Sequence, residues 1–234
     1  MKKTLRVFSL VAMMIVGMSA FAQKPFAGVI TFETSVEGNI DPTVAAQISE
    51  TTTEYLVMGN SYRMNANQGI DVITIANGNN KTLSVILSIP GYGKYYIQQT
   101  SEDFEKAQAS SETKYDYTGE KKEVCGYQCE KVIVTSIDKE TDEEATATVY
   151  VAQIPGIGDD INFANYPGLK GYPLRTETKT EVNGEDVVII LNATAVTPSK
   201  KIKATSFLLP SDAQPISEAP ADLKAMLGMD GEEE

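Results

Sequence analysis

The stretch Thr82-Leu83-Ser84-Val85-Ile86-Leu87-Ser88-Ile89-Pro90-Gly91 decides how this chain is read. Leu83, Val85, Leu87 and Ile89 fall on one side of an extended backbone, with Thr82, Ser84 and Ser88 on the other. That alternation at period two is the mark of a β-strand with one covered face. Pro90-Gly91 breaks the strand, and Tyr95 and Ile97 begin another. Upstream, Val72 and Thr74 run into Asn77-Gly78, a strong hairpin pair. Tyr55 and Val57 reach the turn Gly59-Asn60, and Tyr62, Met64 and Ala66 return. Further out, Ile30, Phe32, Thr34 and Val36 share one face, and Thr31, Glu33 and Ser35 the other.

The same habit continues downstream. Val132 and Val134 open a strand to Ile137, the acidic turn Asp138 to Glu144 follows, and Thr146 to Ala152 returns. Arg175 to Val182 meets the hairpin pair Asn183-Gly184, then come Glu185 to Thr197 and finally Lys201 to Leu208. Roughly ten strands joined by short turns predict a mainly β (α+β) chain built on one antiparallel meander, rather than parallel βαβ units. Helices are few. Asp41 caps a helix with Pro42 at its first position and Val44, Ala45 and Ile48 on one face. Thr100 or Ser101 caps Glu102 to Gln108, and Pro220 opens a helix with Leu223, Met226 and Leu227 at i, i+3 and i+4. Since a sheet must cover its apolar face, the expectation is a strongly curved sheet with these helices plugging its concave side, as in a half-barrel.

The chain opens with Lys2, Lys3 and Arg6, an apolar run from Val7 to Met18, and the small-residue site Ala20-Phe21-Ala22 before Gln23. That is the three-part pattern of a cleaved secretory signal, with the cut between Ala22 and Gln23. The run falls short of the ~20 apolar residues that span a bilayer, and no later stretch is a membrane-spanning candidate. No Cys lies near the cut, so no lipid anchor is expected. Residues 1–22 are therefore the signal, 23–215 the β domain, and 216–234 a C-terminal helix with an acidic tail. A periplasmic or secreted protein follows. Removing the signal moves the net charge from −12 to about −15, which repels phosphate backbones and argues against nucleic acid as a partner. The chain has no His. That removes Ser-His-Asp and Cys-His catalysis and His-held zinc or haem; carboxylates, Lys, Tyr or Cys remain as catalytic options, but no pair of acids can be selected, so an enzyme using carboxylates is only the residual reading and no cofactor, metal site or catalytic residue is named.

Several segments then fall into a known order. Gly126-Tyr127-Gln128-Cys129-Glu130-Lys131 opens one strand and Val149-Tyr150-Val151-Ala152 lies in the next. Pro167-Gly168-Leu169, Gly171-Tyr172-Pro173-Leu174 and the charged strand Arg175 to Glu181 come after them, and Ser206-Phe207-Leu208-Leu209-Pro210 stands near the end. Over about residues 26–215 this resembles a family of bacterial envelope domains of unknown function with a LolA/LolB-like half-barrel. It is also similar to the GLPGLI-type proteins, of whose motif Pro167-Gly168-Leu169 is present. The resemblance implies a half-barrel whose apolar cavity takes acyl chains or other hydrophobic ligands. The strong negative charge, with no basic residue matching a LolA carrier position, argues against lipoprotein transport itself.

Other motifs weigh less. Cys125 and Cys129 are the only cysteines. In an oxidising compartment the expectation is a structural disulfide through the Gly126 turn, with two free thiols or a redox pair as the alternatives. The acids from Asp138 to Glu144 lack the glycine of a calcium loop and read as a solvated hairpin turn. Tyr92, Tyr95 and Tyr96 read as strand-end aromatics. Leu223, Met226 and Leu227 cover core, or form a lid over a cavity that detaches at low cost. The functional expectation is a periplasmic binding module, without catalysis, for a hydrophobic or acyl-bearing ligand such as a lipid or a lipoprotein acyl chain. The alternative is a structural or assembly protein that binds another envelope protein.

Overall fold

The computed structural model describes residues 24–229 except 50, 51 and 68. The signal segment, its Ala22/Gln23 cut and the last acidic residues lie outside the described part. The strands are β1 (Ala27–Gly38), β2 (Thr52–Met58), β3 (Ser61–Asn67), β4 (Asp71–Asn77), β5 (Thr82–Ile89), β6 (Gly93–Gln99), β7 (Ser111–Val124), β8 (Tyr127–Asp138), β9 (Glu144–Ala152), β10 (Tyr172–Val182), β11 (Glu185–Pro198) and β12 (Ala213–Pro215). The helices are α1 (Pro42–Ser49), α2 (Ser101–Ser110) and α3 (Ala221–Met226).

All twelve strands join one open, curved sheet in the order β12-β6-β5-β4-β3-β2-β1-β11-β10-β9-β8-β7. Two antiparallel meanders, β2 to β6 and β7 to β11, flank β1, which pairs with both β2 and β11. β12 lies parallel to β6. Hairpin chemistry fixes much of this. Asn183 and Gly184, at φ 54° and 86°, make the tight turn between β10 and β11, and Cys125 and Gly126, at φ 41° and 85°, make the one between β7 and β8. Positive φ at both central residues suits the right-handed twist of the paired strands.

The meander holds, with three corrections. The count is twelve, not ten. β7 escapes the alternation pattern because it is a solvent-exposed, charged edge strand whose register shifts between Tyr117 and Lys121. Lys201 to Leu208 is not a strand: it crosses the sheet with a 3₁₀ turn at Ala204–Phe207, and Arg63 Nη1 donates to Ser206 O at 3.3 Å. On β5 both faces are covered in part, and the expected face buries Ile89 beneath Leu223. Ser84 and Ile86 are buried, while Leu83, Val85 and Leu87 on the opposite face are only half-buried.

The third correction concerns the plug. Neither α1 nor α2 has a buried residue. The face bearing Phe32, Tyr55 and Tyr62 is covered instead by the β9–β10 connection, residues 153–171, and at its far end by α3. Leu169 and Tyr166 of the connection pack on Val132, Val134 and Val149. Leu223 packs on Ile89 and Tyr95.

Candidate functional site

Between the β9–β10 connection and the middle of the sheet lies a cavity of about 270 Å³. Its sheet side carries Phe32 of β1, Tyr55 of β2, Tyr62 of β3, Tyr172 and Thr176 of β10, and Ile189 and Leu191 of β11. Strand register brings these distant positions together: Ile30 stands opposite Tyr55 and Val57 opposite Tyr62. On the other side Thr34 stands opposite Leu191, and Thr176 opposite Leu191 in turn. Partners facing each other across strands share one side of a sheet, so one aromatic and aliphatic surface results. Phe32 meets Tyr55 edge-on at 5.3 Å between ring centroids, and Tyr55 meets Tyr62 at 5.6 Å, the arrangement that ring quadrupoles favour.

The opposite wall comes from Ile161, Asn162, Asn165 and Tyr166. Asn162 is 6% exposed, and its Nδ2 donates to Leu169 O at 3.1 Å and to Gly171 O at 2.7 Å. Gly171 N donates to Asp159 Oδ1 at 2.8 Å. From β7, Tyr115 donates its hydroxyl to Pro167 O at 3.1 Å, and Lys170 N donates to the Tyr117 hydroxyl at 2.8 Å. Phe163 meets Phe104 of α2 edge-on at 5.0 Å. Gly78, in the β4–β5 turn, allows a close approach to Asp160, where any Cβ would collide with the Asp160 carbonyl. The wall is thus bolted to the sheet from several sides.

No charged side chain lines the cavity. Burial pushes the Tyr62 phenol up to about 12, helped by neighbouring Tyr55. Burial also raises Tyr55 and, further, Tyr172. These groups stay neutral hydrogen-bond donors at any physiological pH, since charging them here would forfeit hydration. An apolar hollow with a few converging polar groups is the usual form of a small-molecule site.

A second, larger hollow of about 650 Å³ lies where the C-terminal crossing meets the β2–β3 and β4–β5 turns. Asn60, Asn77, Asn79 and Leu208 line it. Asn60 donates to Asn79 Oδ1 at 2.9 Å, so the asparagines mostly serve one another. The smaller, aromatic cavity is the better candidate.

Sequence reading missed this site. Alternation placed Phe32 and Tyr62 on strand faces, but which faces meet depends on register between strands far apart in the chain. Nothing marked Asn162. Tyr172 appeared only within the quoted Gly171-Tyr172-Pro173-Leu174 segment. The residues that were singled out lie elsewhere. Leu223 is fully buried and Leu227 packs beside it, while Met226 is 63% exposed. None of the three lines the cavity, so α3 covers the face of β5 and β6 rather than this pocket. Tyr95 is buried there too, and the Tyr92 hydroxyl donates to Asp222 Oδ2 at 2.8 Å, tethering α3.

Cys125 and Cys129 are free thiols. Cys125 occupies the turn, whereas Cys129 is carried along β8 to stand opposite Lys122. Cys129 is buried in the core, which pushes its thiol up to about 11.

Among the described residues no helix is long and apolar enough to cross a membrane. No curated protein matches the chain. Two solved structures of PNGF-II, in C2 and P21 space groups, are similar, with TM-scores of 0.53 and 0.52 at 15% and 17% identity. Each match covers 87% of this chain and 33% of the other, so the chain spans about a third of the PNGF-II length. At that identity the likeness is one of fold. Residues 26–164, more than half the length and most of the strands just described, match DUF4412, a domain of unknown function, and the chain belongs to that family.

Proposed function

We propose that this protein is an exported binding module whose curved sheet works as a half-barrel of the LolA kind. In this reading it acts outside the cytoplasm, holds a hydrophobic or acyl-bearing ligand in the cavity under the β9–β10 connection, and performs no catalysis. The observation that carries the reading is the cavity itself: Phe32, Tyr55, Ile189 and Leu191 form an apolar floor beneath a wall fixed by Asn162. Keeping such a surface open forgoes the packing that would otherwise fill it, which makes sense if a ligand completes it.

Saturable binding of the apolar fluorophore N-phenyl-1-naphthylamine tests this. One site per chain is expected, and Leu191→Trp, which fills the floor, should weaken it strongly while leaving the β-sheet circular dichroism intact. Fluorescence that rises without saturation, or equal binding by the filled variant, would remove the cavity from the account. The alternative reading, a protein that docks another envelope protein, draws on one feature: β7 is a 14-residue edge strand with an unpaired side. Concentration-dependent self-association or partner binding abolished by a proline at Lys114 would favour it.

A further inference from the structure

We propose that the cavity selects an electrically neutral ligand, one with a small head that both donates and accepts hydrogen bonds, such as an amide or an alcohol, on a short apolar body. Carboxylates and ammonium groups are excluded. This rests on the reading of the cavity as a binding site.

Three observations lead there. The first is charge. The lining contains no Lys, Arg, Asp or Glu, so an ionic head would lose its water and gain no counter-charge, a heavily penalised exchange. The second is a surplus of donors. The hydroxyls of Tyr55, Tyr62 and Tyr172 have no hydrogen-bond partner among the described residues. They are not sealed off either, because Asn60 Oδ1 is the one buried side-chain nitrogen or oxygen there without a partner. All three residues line the cavity, the hollow these unsealed hydroxyls have in common. Buried phenols ordinarily find a partner.

The third is an acceptor. Asn162 spends both amide hydrogens on the Leu169 and Gly171 carbonyls. Its Oδ1 is left to accept, and it too is absent from the sealed atoms. A head that offers an oxygen to the phenols and a hydrogen to Asn162 satisfies both sets at once. An amide does this in a single group, whereas a carboxylate only accepts and an ammonium only donates. Size adds a limit. At ~30 Å³ for a water-sized group, 270 Å³ admits on the order of nine heavy atoms, hence a short ligand or the end of a longer one, such as the naphthyl end of the fluorophore.

The test is competition against N-phenyl-1-naphthylamine by octanamide, octanoate and octylammonium at pH 7.5, on the full processed chain. Octanamide should displace the probe at a concentration roughly tenfold or more below either ion. The cation controls for the acidic surface, which would favour octylammonium if global charge alone decided. Tyr62→Phe/Tyr172→Phe removes two of the donors and keeps the rings, so octanamide should compete about tenfold less well, scaled to the probe affinity measured in that same variant. Either ion competing as well as octanamide, or octanamide competing undiminished in the double variant, overturns the proposal while leaving a nonselective binding cavity. Failure of the probe and of all three competitors to bind overturns the cavity reading together with it.

Discussion

Asn162 holds the carbonyls of Leu169 and Gly171 from a buried position. Removing its amide leaves two backbone oxygens short of a donor, at about 1–3 kcal/mol for each that stays buried. Asn162→Ala should therefore lower stability by about 2 kcal/mol or more in urea unfolding and loosen the connection so that probe binding falls as well. A loss confined to binding, with unchanged stability, would mean the asparagine does not hold the wall. The tyrosines make a second prediction. With Tyr62 raised to about 12 and Tyr55 and Tyr172 also raised, absorbance at 295 nm should show fewer than the full 11 tyrosines titrating near pH 10 in the folded protein. The sign follows: an unfolded phenol ionises near pH 10 while the buried one keeps its proton, so this contribution to stability is whole below pH 10 and is lost as pH rises above it. Such residues were hard to find from sequence for a plain reason. A tyrosine on a strand reads the same whether it fills a core or faces a cavity, and an asparagine in a loop reads as a turn former.

At the scale of elements, local chemistry was legible and coverage was not. Asp41 accepts from Thr43 N at 2.7 Å and opens α1 where Asp-Pro placed it. Thr100 and Asp103 form a capping box that starts α2. Asn183-Gly184 makes its turn. That both faces of β5 are covered could not be read: Ser84 and Ile86 are buried on one side, and on the other Ile89 lies under Leu223, more than a hundred positions away. α2 runs from β6 to β7, strands near opposite edges of the sheet, yet buries nothing and touches the connection through Phe104 and Phe163. Hydrogen exchange should therefore be fast in α2 and slow in β1 and β11 at the sheet centre, and Phe104→Ala should quicken α2 and the connection together. Uniform protection would contradict this assignment. α3 gives a paired prediction. Leu223 is fully buried and Met226 is 63% exposed, so Leu223→Ala should cost about 2–5 kcal/mol, and Met226→Ala less than about 0.5 kcal/mol. Equal effects would mean that α3 is not docked through Leu223.

For the whole molecule, the alternation beginning at Leu83 led to an antiparallel meander, but the order of the strands needed the structure. β1 lies in the middle of the sheet, between two meanders, because its two sides pair with β2 and with β11, separated by over a hundred residues. No local pattern encodes that long-range pairing, and the cavity sits where the two meanders meet across β1. The central claim is that this junction is built to hold a small neutral molecule. Native mass spectrometry of the processed chain, purified without detergent and then extracted with solvent, tests it most directly. The account predicts one adduct per chain, released by solvent as an uncharged amphiphile and missing from Leu191→Trp. A chain that is empty as purified, and that takes up neither N-phenyl-1-naphthylamine nor octanamide when they are added, would contradict it.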